Sequence, residues 1–331
     1  MLIDKLNLMI NNSNKIDNVT GTLGMNIFKK CNALTLTLKN KEIDINRVNE
    51  CRYIIKNDTS LLSNFRGNNL LTTAVNLSLE ENPNNSLHEL MDIYSKLKAH
   101  FFTNQFLVLA AQVIYSARHA VNVDEAIINT RKAYDHMKSN HVFLTSSEDI
   151  SAAAMIATTS TDLNKTFSDI ESCYSILKNN GFWGGNNLQS LSHILSLFEG
   201  TPEEKCSRVI SLDRSLRKYN IPLKGYSLPI LGVSAFATDD FDVLAKHMLE
   251  TNNYLKKHSG FGSFSLGTPV RSMITAALVT SSYIEANDVN INNKFIEATN
   301  NAALNIIIVM QIAASSAAAG AAAGAAASSG S

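Results

Sequence analysis

A hydrophobic residue followed at once by a basic one recurs along the chain at Ile55-Lys56, Leu97-Lys98, Met137-Lys138, Leu177-Lys178, Leu216-Arg217 and Leu255-Lys256. Successive basic members lie 42, 40, 40, 39 and 39 residues apart. A period of about 40 residues, held that closely, marks one supersecondary unit stacked many times. The chain therefore reads as a repeat protein.

Two kinds of segment flank each basic residue. The one before it is amphipathic: Ile127, Ala133, Tyr134 and Met137 fall on one helical face, as do Ile170, Cys173, Tyr174 and Leu177. The one after it, at 104–118, 147–159, 187–198, 226–237 and 268–282, is shorter and almost free of charge, so it should be walled in on all sides. The first kind makes outer helices and the second inner ones. Punctuation agrees with this division. Thr201, Pro202 and Glu204 spell a capping box with proline at the first helical position. Asp239 and Asp240 precede an outer helix, and Pro229 and Pro269 fall in first turns, where proline breaks no hydrogen bond. No run of alternating strands occurs, so the fold class is all-α.

The sequence divides into an N-terminal helical region (1–60), six helix hairpins (61–314) and an Ala/Ser/Gly-rich tail (315–331). The hairpins can stack as an open α-solenoid, the favoured arrangement, or close into an α/α toroid. Glycine-aromatic links such as GFWGG (181–185) and SGFGSF (259–264) resemble the turns of toroid enzymes such as prenyltransferase subunits. Trp183, the only tryptophan, reads first as a packing anchor between repeats and second as a binding hot spot.

Charge excludes some functions. Lysines and arginines number 29, as do aspartates and glutamates, with no block of either sign, so nothing advertises nucleic acid. Cys31, Cys51, Cys173 and Cys206 form no CxxC pair, which suits buried thiols in a reducing cytoplasm. No metal motif, phosphate loop or nucleophile elbow occurs, so no cofactor and no metal are expected, and no catalytic residue is assignable. The stretch 302–327 is long enough to span a bilayer, yet only Ile306–Met310 is strongly hydrophobic. It reads as a last outer helix running into a low-complexity tail, with membrane or assembly recruitment as the alternative.

Polar residues gather at the starts of the inner helices, where free amides and dipole ends can receive an anionic or polar ligand. The candidate ligand site is Arg66, Asp149, Gln189, His193 and Arg271, with the arginines as charge partners and His193 on an otherwise apolar helix. The competing reading makes these residues caps and buried structural groups. The expected function is a non-enzymatic binding or scaffolding module for a protein, peptide or small polar ligand. The alternative is a toroid enzyme with a polar pocket.

Finally, NFRGNN (64–69), HVFLTSSEDISAAAMIATT (141–159), GNNLQSLSHILSL (185–197), GYSLPILGVSA (225–235) and GFGSFSL (260–266) followed by Arg271, with the alanine-rich terminus, resemble domain-of-unknown-function family 4003 of Firmicutes. The resemblance implies a cytoplasmic bacterial protein and carries no activity, cofactor or partner.

Overall fold

The computed structural model describes residues 1–19 and 26–286, and every regular element among them is helical. Seven hairpins follow one another, each an outer helix and then an inner one. They are α1 (Leu2–Lys15) with α2 (Asn26–Leu38), α3 (Ile45–Asp58) with α4 (Asn68–Leu77), and α5 (Pro83–Leu97) with α6 (Gln105–Ala117). Next come α7 (Val123–Asn140) with α8 (Ile150–Thr159) and α9 (Leu163–Asn179) with α10 (Asn186–Leu195). The last are α11 (Pro202–Lys218) with α12 (Leu228–Ser234), and α13 (Phe241–Lys256) with α14 (Thr268–Ala286).

The recurring dipeptide sits where its chemistry requires. Its apolar members Ile55, Leu97, Met137, Leu177, Leu216 and Leu255 are all buried against the inner layer, each contributing roughly 1.5–3 kcal/mol. The basic members ride the last turn or C-cap of their outer helices, exposed, where a cation meets the negative dipole end. Asp44, Asn82, Asn122, Asp162 and Asp240 cap outer helices through their side chains, and Thr201 and Glu204 form the full capping box.

The repeat begins earlier than its sequence signature. Residues 1–60, expected as a separate helical region, supply the α1/α2 hairpin and the outer helix α3. Of the two inner helices beside it in sequence, each outer helix packs more on the one that follows, so the unit boundary falls one helix earlier than in the six hairpins expected over 61–314. The outer helix expected after α14, the hairpin boundary at 314 and the tail at 315–331 lie outside the described residues.

Inner helices touch in a circuit. α2 packs on α4, then α4 on α6, α6 on α8, α8 on α10, α10 on α12 and α12 on α14, and α14 returns to α2 and to α1. Side chains seal this last contact. Lys5 Nζ lies 2.8 Å from Glu285, Asn40 Nδ2 donates to the same carboxylate at 3.1 Å, and Lys30 Nζ stands 5.0 Å from the centre of the Phe261 ring. Gly260, at φ 81°, lets the chain pass there, because a Cβ would come within 2.8 Å of Lys30 Nζ.

Inner helices approach closely where side chains are small. A Cβ on Gly232 of α12 would stand 2.7 Å from Leu191 Cδ1 and 3.1 Å from Ile194 Cγ2 of α10. Gly232→Ala gains about 1 kcal/mol of helix propensity but overpacks a filled core at about 2 kcal/mol. Its urea midpoint is therefore expected to fall by the equivalent of about 1 kcal/mol. An unchanged or raised midpoint would show slack between α10 and α12. Among the described residues no helix is long and apolar enough to cross a membrane.

Candidate functional site

The starts of the inner helices meet on one face. Asn69 at the start of α4 donates to Gln105 O at the start of α6 (2.9 Å). Asn104 before α6 shares a groove with Ser147 before α8 and with Ile150, the first residue of α8. Asn187 of α10 lies beside Gly225 before α12, the 3-10 turn Gly225–Ser227 packs on α14, and Lys30 of α2 lies beside Gly260 before α14.

The five candidate residues are not gathered into one cluster by this arrangement. Arg66 folds back on the end of its own outer helix, donating from Nε to Thr59 Oγ1 (3.1 Å) and from Nη2 to Thr59 O (2.7 Å) and to Lys56 O. Arg271 is buried and bridges its own hairpin: Nε donates to Asn252 Oδ1 (3.0 Å), Nη1 to Phe261 O (3.0 Å) and Nη2 to Thr268 Oγ1 (3.4 Å). Their hairpins are separated by the α1/α2 hairpin. Both guanidiniums are engaged in closing turns.

Asp149 accepts from Ser146 N at 2.8 Å, completing a capping box before α8, and burial pushes its carboxyl up to about 6. Gln189 and His193 differ from these. They stand one turn apart on α10, both buried, and neither the side-chain amide of Gln189 nor either ring nitrogen of His193 has a hydrogen-bond partner among the described residues. Burial, with His141 and His136 nearby, depresses the His193 imidazole to about 3, so it is neutral throughout the physiological range. His141 Nε2 lies 3.0 Å from Glu171, and His136 stacks on Phe167. Among the described residues no three histidine, cysteine or carboxylate side chains gather closely enough to hold a metal ion.

A groove of about 580 Å³ opens on the same face between the α5/α6 and α7/α8 hairpins. Its walls are aromatic, with Phe101 edge-on to Tyr134 at 5.4 Å between ring centres. Arg131 crosses the floor, donating to His100 O (2.8 Å) and pairing with Asp135 (2.7 Å). Lys98 and Lys138 stand on the rim, exposed, and neither belongs to an ion pair among the described residues. Both are members of the recurring dipeptide.

Trp183 corrects the sequence reading. It is almost wholly exposed rather than anchoring two repeats, and its neighbour Phe182 is the one turned inward. The same division recurs in other links: Phe65 and Phe101 are buried while Leu62 and Phe102 project, and Phe261 is buried while Phe264 projects. In each of these links one apolar side chain closes the hairpin, so the projecting one is not needed for packing.

The family described as "Protein of unknown function (DUF4003)" matches residues 16–313. The chain belongs to this family. A relative, the uncharacterized protein YeaA of Bacillus subtilis (strain 168), is 25% identical over 201 residues, which cover 59% of this chain and 61% of that protein. The chain thus spans about three-fifths of that relative's length. No solved structure matches the chain.

Proposed function

We propose that this DUF4003 protein is a binding or scaffolding module, built as an α/α toroid, whose working surface is the face where the inner helices begin. The circuit of inner-helix contacts supports the toroid over the open solenoid. The observation that carries the function is the groove between the third and fourth hairpins, where the two rim lysines have no ion-pair partner among the described residues. Cations left unpaired beside aromatic walls suit an anionic partner. Buried polar groups elsewhere favour binding over catalysis. His193 is sealed from solvent and too weak a base to act near neutrality, and Arg66 and Arg271 are consumed by their own hairpins. The candidate set Arg66, Asp149, Gln189, His193 and Arg271 then supports the face from beneath. Four buried, unpaired cysteines favour placement in the cytoplasm.

Tripolyphosphate, a soluble polyanion, tests the reading. At low ionic strength it should raise the thermal midpoint by a few degrees, because a ligand held by the folded state alone stabilises it. The double variant Lys98→Glu with Lys138→Glu should lose the response and keep the unliganded midpoint. An equal response in the variant, or none in the parent, rejects the groove as an anion site.

A further inference from the structure

Six large hydrophobic side chains, Leu61, Leu62, Phe102, Phe143, Trp183 and Phe264, each leave more than four-fifths of their surface in solvent. No other large hydrophobic side chain among the described residues does so. All six lie in links that run from an outer helix to the next inner helix, and so on a single face. Five links carry them among the described residues. Single exposed leucines are ordinary on a protein surface, but a set confined to one rim and spread around it is not.

Charge follows the same division. The six links between positions 56 and 267, taken from each basic residue to the next inner helix, hold ten lysines and arginines against three carboxylates, in a chain with 29 of each sign. Lys56, Lys98, Lys138, Lys178, Lys224 and Lys256 of these links are exposed. The opposite rim, where inner helices hand over to outer ones, is acidic, with Glu80, Glu81, Asp162, Glu199, Asp239 and Asp240. A neutral protein is thereby polarised across its thickness.

We infer that this face docks on an anionic lipid bilayer, with the aromatic and leucine tips seated at headgroup depth and the ring of lysines facing acidic headgroups. The inference rests on the binding-module reading above and names its partner. Separate apolar tips around a rim, each in a link that also carries an exposed lysine, match an interface that is laterally fluid and has no fixed shape. A protein partner is met by a contiguous apolar centre with a polar border. Trp and Phe favour the boundary between headgroup and hydrocarbon, and clustered lysines add attraction to acidic lipid that salt screens. Docking of this kind needs no membrane-crossing helix. The acidic rim would face away, repelled by the same surface.

Trp183 is the only tryptophan in the chain, so its fluorescence reports on the face directly. Added to the full-length protein in 20 mM salt, vesicles of phosphatidylcholine with 30% phosphatidylglycerol should shift Trp183 emission to the blue. Brominated acyl chains should quench it, and pure phosphatidylcholine should do neither. In sedimentation with the same vesicles, the combined variant Leu62→Ser, Phe143→Ser and Phe264→Ser should bind at least tenfold more weakly. It should keep its melting temperature and its tripolyphosphate response. Raising salt to 0.5 M should release the parent. Trp183 emission indifferent to acidic vesicles overturns the inference, as does sedimentation unaffected by the triple substitution, which would place any lipid contact elsewhere in the chain. A self-association measured by light scattering and abolished by the triple variant would also overturn it, marking the tips as a contact between copies. If the lipid tests fail while the tripolyphosphate response persists, the binding-module reading stands without the membrane. If both fail, both are wrong.

Discussion

Arg271→Ala is expected to lower the stability of the folded chain by about 3 kcal/mol, read as a shift in the urea midpoint. The guanidinium is buried and makes three hydrogen bonds that join α13, the following link and the start of α14. Each such bond nets about 1 kcal/mol, and truncation also leaves the Phe261 carbonyl without this donor, at a further 1–3 kcal/mol before relaxation. Loss of the stem's packing adds to this, and relief of a buried charge works against it: burial holds the Arg271 pKa below its ordinary value, and no carboxylate pairs with it among the described residues. Bonding wins because three separate segments lose their common fastener. Arg271→Lys should recover only part of the loss, since an ammonium cannot span the same fork. A change below about 0.5 kcal/mol would return Arg271 to the list of residues free to hold a ligand.

Acid is the second sensitive direction. His193 has a folded-state pKa of about 3 against an ordinary value of 6.5. Above pH 6.5 the imidazole is neutral in both states and contributes no pH dependence. As pH falls below 6.5 the unfolded chain takes up a proton that the folded chain refuses, so stability declines towards pH 3. The full shift corresponds to roughly 5 kcal/mol, of which about 2–3 kcal/mol is gone by about pH 4.5. His136, whose pKa burial lowers, acts in the same sense. Asp149 opposes them, because a raised carboxyl pKa favours the folded state as acid is added. Comparing the parent with His193→Leu at each pH isolates the single group. The variant should match the parent at pH 7, since neither ring nitrogen has a partner to lose, and should be the more stable of the two at pH 4.5. Parallel profiles for the two proteins would mean that His193 is protonated in the fold.

The sequence disclosed the repeat because its signature lies at a place of fixed chemistry, a buried apolar residue followed by a cation on a helix's final turn. It concealed the first hairpin for the same reason. α1 ends Lys15 then Ile16, with the basic residue first, and Ile16 begins a 3-10 turn. The inner helices were legible from their lack of charge. Caps of the outer helices were legible too, since Thr201 and Asp240 have the chemistry that amides at helix starts require. The candidate cluster was less so. Position alone cannot tell a polar side chain aimed outward from one turned back into its own hairpin, and Arg66 and Arg271 do the latter. Nor does a link with two aromatic residues reveal which one faces solvent. The signal was the doubling itself, since one aromatic anchor suffices to close a turn and Phe101-Phe102 and Phe182-Trp183 offer two.

A circuit of hairpins whose last described member packs on its first has no weak end among the described residues. In a linear array the outermost unit has one neighbour and frays first, and a unit can be gained or lost at modest cost. Here every unit has two neighbours, so removing any hairpin from 1 to 7 exposes two apolar faces and leaves a gap that six units of unchanged curvature cannot span. Such a chain is expected to melt as one cooperative body and to keep its unit number over evolutionary time while its links vary. With Lys5 and Glu285 in contact, cutting the chain in the acidic rim and joining it near this pair should regenerate the same circuit in a new order.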